Sequence, residues 1–130
     1  MRLLFILAIT VTLFTSCKKN EPIEGLQSVT SLQQLNDEVA DGVTFIFFHA
    51  SWCHICQDQR PAVTQVATDA DLAGVYFGEV EYDDHPDITS AYGINAFPIM
   101  VIFKDGVEVD RFTGGGFTAA SIKIAIQAQL

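Results

Sequence analysis

Residues 43–56 read VTFIFFHASWCHIC, an apolar run followed by two closely spaced cysteines. The run Val43–Phe48 is β-branched and aromatic, which is typical of a strand buried on both faces of a sheet. Cys53 and Cys56 follow where a helix is predicted to begin, and that helix extends to about Ala70. Residues three apart lie on one face of a helix, so the two sulfurs are close enough for a disulfide. The stretch therefore predicts a buried strand, a short connection and a helix that carries a dithiol at its start.

The two cysteines are expected to differ in reactivity. Cys53, in the first turn, faces backbone N–H groups without helical partners and the positive end of the helix dipole, and both favour its thiolate. Cys56 lies one turn deeper, where its sulfur is more shielded and less ionised. This asymmetry predicts a relay in which Cys53 attacks a disulfide and Cys56 then resolves the mixed disulfide.

Other uses of a Cys-x-x-Cys pair fit the sequence less well. A zinc site needs four ligands, and only His49, His54 and His85 are available besides the pair, with no second pair at metal-ligand spacing. Haem attachment needs a His directly after the second cysteine, where Gln57 stands. A purely structural disulfide across so short a loop contributes little stability through loop entropy. We therefore predict redox chemistry at the pair, with no metal and no cofactor.

Helices and strands alternate around this stretch. The Asp105-Gly106 step between the last two strands is a strong hairpin signal. Strands alternating with helices, then a hairpin and a helix, predict an α/β fold with a central mixed β-sheet and helices on both faces. Predicted helices span Ser31–Ala40, Cys53–Ala70 with Pro61 as a kink, Pro86–Tyr92 and Thr118–Leu130, and predicted strands span Val43–Phe48, Val75–Tyr82, Phe97–Phe103 and Val107–Phe112, with an edge strand near Glu24–Val29.

Length and charge limit the classes of function. The 130 residues leave room for one domain, and 49 % apolar residues are enough to bury a core. Seven Lys plus Arg stand against sixteen Asp plus Glu, a net charge of −9. Because phosphate binding requires a basic patch, we predict no nucleic-acid partner.

The N-terminal segment has the pattern of a targeting sequence. Met1–Ser16 carries one Arg and then an uncharged apolar stretch too short to span a bilayer, as in a secretory signal. Leu13–Cys17 resembles a bacterial lipobox, whose Cys becomes the lipidated first residue, although Phe14 stands where Leu is usual. Lipidation also accounts for the odd number of cysteines, three. We predict a signal peptide at 1–16, a lipidated tether at 17–28 and a domain at 29–130; the alternative is an ordinary signal with a coincidental cysteine.

Five motifs in the predicted domain occur in the order found in one known family. They are the strand–WCxxC–helix segment Phe48–Cys56, the helix-kinking Pro61, the YGI…P segment Tyr92–Pro98, the FKxG hairpin Phe103–Gly106 and the glycine after the last strand, Gly114. On these residues the chain resembles the thioredoxin family over residues 29–130.

The resemblance implies a thiol–disulfide oxidoreductase with a thioredoxin-like fold. It makes Pro98 a cis-proline beside the disulfide, which leaves the backbone of Phe97 free to pair with an extended substrate. Trp52 is expected to cover the disulfide and to line the substrate groove, together with His54 and Ile55.

The chain departs from the family at an internal charged pair. Thioredoxins keep a buried Asp six residues before the first cysteine, and Phe47 stands there. The Lys that faces this Asp from the neighbouring strand is replaced by Glu79. Since burial raises the pKa of a carboxyl, Glu79 is a candidate proton acceptor for Cys56. A buried carboxylate without a partner is unfavourable, so replacing Glu79 with the neutral Gln would raise the stability of the protein. The alternative is a strand residue whose carboxylate reaches solvent.

Two histidines near the motif also depart from the pattern. His54-Ile55 replaces Gly-Pro between the cysteines, and an imidazolium beside Cys53 would make the disulfide a better oxidant. A solvent-facing His54 with little influence is the alternative. His49 stands where the family often has an aromatic residue, so we expect it to pack beside the motif rather than to take part in catalysis.

Together these features predict a thiol–disulfide oxidoreductase that is lipid-anchored to a bacterial membrane and faces the periplasm or the cell surface. It is expected to act as a monomer on protein thiols and disulfides, with a redox partner that the sequence does not identify. The alternative is a non-catalytic thioredoxin-fold binding module with a structural disulfide. Reductant, oxidant and isomerase stay open, because potentials in such proteins range from about −270 to −120 mV.

Overall fold

Five strands form one mixed sheet in the computed structural model, which describes residues 21–130. The predicted signal peptide, Cys17 and the first residues of the tether lie outside the described residues. The spatial order is β1-β3-β2-β4-β5; β1 and β2 run parallel to β3, whereas β4 is antiparallel to both β2 and β5. The strands are β1 (Gln27–Ser28), β2 (Val43–His49), β3 (Tyr76–Glu81), β4 (Ile99–Lys104) and β5 (Val107–Thr113). This sheet confirms the predicted α/β thioredoxin-like fold class.

The central strand β2 is completely buried and divides the protein into two cores. Phe45 and Phe47 point to one face of the sheet, and Ile46 and Phe48 point to the other. The two-sided burial predicted from the apolar run is therefore confirmed. The first face packs against the helices α2 (His54–Ala67) and α4 (Ala119–Gln127), and the second packs against α1 (Leu32–Val39) and α3 (Pro86–Ala91).

Side-chain caps set the helix ends. Ser31 caps α1 by accepting the N–H of Gln34 at 3.1 Å. The prediction that α2 reaches Ala70 is wrong, because the helix ends at Ala67. Asp69 instead caps a short 3₁₀ turn, Ala70–Leu72, by accepting the N–H of Asp71 at 2.9 Å.

The predicted hairpin joins β4 to β5. Asp105 and Gly106 have φ angles of 48° and 84°, and the left-handed conformation at both positions is that of the two-residue turn that matches strand twist. In the part of the chain that the structure describes, no helix combines the length and the apolar character needed to cross a membrane.

Candidate active site

Cys53 and Cys56 are joined by a disulfide at the N-terminal end of α2, with their Cα atoms 5.2 Å apart. Cys53 is the N-cap residue of the helix, and its Sγ accepts the backbone N–H of Cys56 at 3.1 Å. After reduction, that N–H and the helix dipole would stabilise a negative charge on the Cys53 sulfur.

The two sulfurs differ in exposure. Cys53 is 7 % exposed and Cys56 is completely buried, although both belong to the core between the sheet and α2. Solvent therefore reaches the disulfide from the side of Cys53. The attacking cysteine is expected to be the more exposed of the two, and Cys53 is.

An apolar surface surrounds the exposed side of the disulfide. Trp52 is 59 % exposed, and its indole N–H donates to Asp83 at 3.3 Å. Its ring stands edge-on to Phe97 at a centroid distance of 6.0 Å, and Phe97 in turn packs on Tyr82 at 4.9 Å. Ile55 is 54 % exposed on the same helix end. The structure thus brings three of the predicted substrate-contacting residues to the surface beside Cys53.

The remaining predicted residues of the groove lie in this region too. The Phe97–Pro98 peptide bond is cis, as predicted from the resemblance. The carbonyl oxygen of Pro98 accepts the N–H of Gly114 at 2.9 Å, which joins the proline loop to the loop after β5. His54 is exposed in the first turn of α2.

A buried ionic cluster lies at the end of β2, under α2. The imidazole Nε2 of His49 hydrogen-bonds with the carboxylate of Glu79, whose other oxygen accepts the hydroxyl of Ser28. His49 Nδ1 lies 3.4 Å from a carboxylate oxygen of Glu81 and 3.5 Å from the guanidinium Nη2 of Arg60. His49 is 1 % exposed, and each glutamate is 8 % exposed.

The surroundings of Glu79 correct one expectation. Burial acts to raise the pKa of Glu79, but hydrogen bonds from His49 and Ser28 and the charges of His49 and Arg60 outweigh it. The pKa of this carboxyl therefore lies below its usual value, and the expected raised pKa is wrong. The premise of an unpaired carboxylate is wrong as well.

Sequence reasoning placed Glu79 correctly but missed its partner. The register pairs Phe47 with Glu79, as predicted from the family pattern. His49 does pack beside the motif, since its ring stacks on Phe47 at 5.0 Å. The ion pair was also readable from strand alternation, because residues 47 and 49 share one face of β2 and residues 79 and 81 share that face on β3.

A cavity of about 280 Å³ opens next to the cluster. Its lining includes Ser28 and Ser51 together with the carboxylates of Glu79 and Glu81, and the N–H of Ser51 donates to Glu81 at 3.1 Å. The two carboxylates therefore line an open cavity as well as the protein interior. Among residues 21–130, no three His, Cys, Asp or Glu side chains are arranged to hold a metal ion.

Comparison with known proteins gives one consistent result. The family model described as thioredoxin matches residues 11–128. The thioredoxin of Chlamydia caviae is 37 % identical over 86 residues, which cover 66 % of this chain and 82 % of that protein. Among solved structures, Malassezia sympodialis thioredoxin superposes with a TM-score of 0.71 at 27 % identity, covering 85 % of this chain and 96 % of that one. A mutant thioredoxin of Halobacterium salinarum gives 0.71 at 28 % identity, covering 85 % and 95 %.

Proposed function

The chain belongs to the thioredoxin family and is a thioredoxin-fold thiol–disulfide oxidoreductase, and from this premise we propose that it exchanges disulfides with proteins outside the cytoplasm. One observation carries the proposal: a disulfide between Cys53 and Cys56 caps a helix next to an exposed apolar surface and a cis-proline. That arrangement combines a reactive sulfur with a place for a polypeptide substrate to bind.

The exchange proceeds in two displacements. The thiolate of Cys53 attacks one sulfur of a substrate disulfide, which forms a mixed disulfide and releases the other substrate sulfur as a thiolate. Cys56 then loses its proton and attacks Cys53, which releases the second substrate sulfur and forms the Cys53–Cys56 disulfide. Two electrons pass from the protein to the substrate, and oxidation of a substrate dithiol follows the same steps in reverse.

The capped helix end supports Cys53 as the attacking residue. Its sulfur already accepts a backbone N–H, and it is the more exposed of the two. Burial of Cys56 supports the resolving role, because its thiol meets the mixed disulfide only from inside the protein.

The apolar surface is the proposed binding site for substrate proteins. Trp52 and Phe97 form an edge-to-face pair beside Cys53, and Ile55 adds an exposed aliphatic surface. The backbone of Phe97, held before the cis bond, is proposed to pair with an extended segment of the substrate. Such pairing tolerates many sequences, which suits an enzyme that acts on more than one protein. His54 is proposed to lie at the edge of this site.

The role of Glu79 as proton acceptor for Cys56 stays a prediction. Its position opposite Phe47, where the family keeps an Asp, supports it. Its lowered pKa acts against it, because a carboxylate of low pKa holds a proton poorly near neutral pH. We therefore expect at most a contribution near the lower end of the usual range for a general base.

A lipid on Cys17 is proposed to hold the domain at a bacterial membrane. The apolar leader at 1–16 and the polar residues after Cys17 support export followed by lipidation. Disulfides form and persist in oxidising compartments outside the cytoplasm, so an enzyme that exchanges disulfides with proteins finds substrates there.

The experiment that tests the function is reduction of insulin by dithiothreitol, followed as turbidity. The wild-type protein is expected to accelerate precipitation of the insulin chains, and Cys53→Ser is expected to lose that acceleration. A wild-type protein that reacts no faster than dithiothreitol alone would instead favour a binding module with a structural disulfide. Equilibration with glutathione then gives the reduction potential and assigns the protein as reductant or oxidant.

A further inference from the structure

Gln59 is a buried polar side chain of α2 that the disulfide exchange does not use. It is 2 % exposed and lies in the buried stripe of the helix between Cys56 and Val63. Its amide makes two hydrogen bonds to the backbone of one residue: Nε2 donates to the carbonyl oxygen of Phe117 at 2.8 Å, and Oε1 accepts the N–H of Phe117 at 3.1 Å. The side chain therefore pairs with Phe117 as a neighbouring strand would.

Phe117 directly follows three glycines, Gly114–Gly116, which we call the glycine loop. This loop contacts the active site at two points. Gly114 donates its N–H to the carbonyl of the cis-proline Pro98 at 2.9 Å. Gly115 lies directly against Ile55, since a Cβ built on Gly115 would be 2.4 Å from the Cγ2 of Ile55. Real Cβ atoms essentially never approach another carbon so closely, so a side chain at Gly115 would force Ile55 or the loop to shift.

The glycine loop is thus held from both sides of the disulfide. One end is attached to the proline loop, the middle touches a residue between the two cysteines, and the other end is attached to the active-site helix through Gln59. The two hydrogen bonds also explain why a polar residue is tolerated in an apolar stripe, because they satisfy the buried amide and the backbone of Phe117 together.

We propose that Gln59 is a positioning residue that fixes the glycine loop as one wall of the groove in which a protein substrate binds beside Cys53. The proposal rests on the proposed function and names a determinant of its specificity for proteins. Without Gln59, the partly buried N–H and C=O of Phe117 lose their partners, and the loop moves to find others. Extended peptide segments then bind less well, whereas small disulfides, which need only the Cys53 sulfur, react as before.

The test compares Gln59→Met with wild type on two substrates. Met is close to Gln in size and shape but cannot form either hydrogen bond. Gln65→Met, an exposed position on the same helix, is the matched control. For Gln59→Met, the KM for insulin is expected to rise about tenfold or more, since a displacement of about 1 Å can cost roughly a hundredfold. The rate with bis(2-hydroxyethyl) disulfide and the reduction potential are expected to stay at wild-type values.

Three outcomes would overturn the proposal. An unchanged KM for insulin would show that Gln59 does not act on substrate binding. Equal losses on insulin and on the small disulfide would assign Gln59 a general structural role. A wild-type protein inactive on insulin would overturn the protein-substrate function itself, and this result is distinguishable because it requires no variant. Gln59→Met is expected to fold, because the ring of Phe117 still packs on Phe112 at a centroid distance of 4.9 Å.

A second variant tests the same wall independently. Gly115→Ala places a methyl group against Ile55 and should raise the KM for insulin in the same way as Gln59→Met. Because Ile55 itself belongs to the proposed binding surface, Gly115→Ala is also made in the Ile55→Ala background. There the clash is removed, and Gly115→Ala is expected to raise the KM for insulin less than it does in the wild type. An equal increase in both backgrounds would contradict the contact as the cause.

Discussion

The imidazole of His49 hydrogen-bonds to the carboxylate of Glu79 across the β2–β3 pair, and both side chains are buried beneath α2. Phe47 lies opposite Glu79 in the sheet and stacks on the ring of His49. In thioredoxins this region contains an Asp at the position of Phe47 and a Lys at the position of Glu79. The protein therefore keeps a polar pair that includes an acid under the active-site helix, but the pair is built from different positions and the acid is on the other strand.

This pairing predicts that Glu79→Gln destabilises the protein. The carboxylate accepts hydrogen bonds from both Ser28 and His49, and an amide offers only one accepting oxygen for the two. A buried group left without its partner costs about 1–3 kcal/mol, and we expect the free energy of unfolding at pH 7 to fall by about that amount. Denaturant unfolding measures it, with the exposed Glu24→Gln as control. A gain in stability would show that the carboxylate is effectively unpaired in solution.

The same group predicts a specific acid sensitivity. The pKa of Glu79 is lower in the folded protein than its ordinary value of 4.5. A group with a lowered pKa contributes stability that is fully present above the unfolded-state pKa and is lost as the pH falls through the folded-state pKa. Wild-type stability should therefore fall more steeply than that of Glu79→Gln as the pH drops below about 4.5. If the free energy of unfolding fell equally steeply with pH in the two proteins, the lowered pKa of Glu79 would be contradicted.

Glu79→Gln also tests proton transfer during the resolving step. If Glu79 accepts the proton of Cys56, the substitution slows resolution and leaves attack by Cys53 nearly intact. General bases contribute about 10²- to 10⁴-fold, and the lowered pKa places the expected effect near the lower limit. Stopped-flow oxidation and reduction between about pH 5 and 9 separates the two steps. Identical resolving rates and pH profiles would make Glu79 a bystander and leave solvent as the proton acceptor.

The sequence predicts well what depends on local pattern. Apolar runs and the Asp105-Gly106 turn indicated the elements, and the family motifs indicated the cis-proline at Pro98. The motifs also carried the register that sets Phe47 against Glu79. These features depend on neighbouring residues or on spacing that the whole family shares.

What the sequence did not predict depends on contacts between distant segments. The partners of His49 come from β3 and α2, so its environment is set only when these elements pack. Gln59 reads as an ordinary polar residue of a helix, and its partner Phe117 is 58 residues away in the chain. The early end of α2 does not depend on distant contacts. Asp69, which caps the following 3₁₀ turn, is a local signal that the predicted helix to Ala70 did not take into account.

The predicted lipid anchor is tested by Cys17→Ser. If the sulfur of Cys17 carries a lipid, the variant should leave the membrane fraction or accumulate with its leader uncleaved. Membrane fractionation and metabolic labelling with a fatty acid measure both effects, with Cys53→Ser as a control that keeps the anchor. Unchanged fractionation together with unchanged labelling would refute lipidation at Cys17.

The different exposure of the two sulfurs predicts which cysteine variant traps substrates. In Cys56→Ser, Cys53 can still attack a client disulfide, but no second thiol resolves the product, so mixed disulfides with clients should accumulate. In Cys53→Ser, the remaining active-site thiol, Cys56, is completely buried, and few or no adducts should form on it. Non-reducing electrophoresis of both variants after incubation with native insulin, whose disulfides are intact, measures the adducts. The Cys53→Ser/Cys56→Ser double variant gives the background. Adducts on Cys53→Ser but not on Cys56→Ser would reverse the two roles, because they would show that substrate reaches the Cys56 sulfur first.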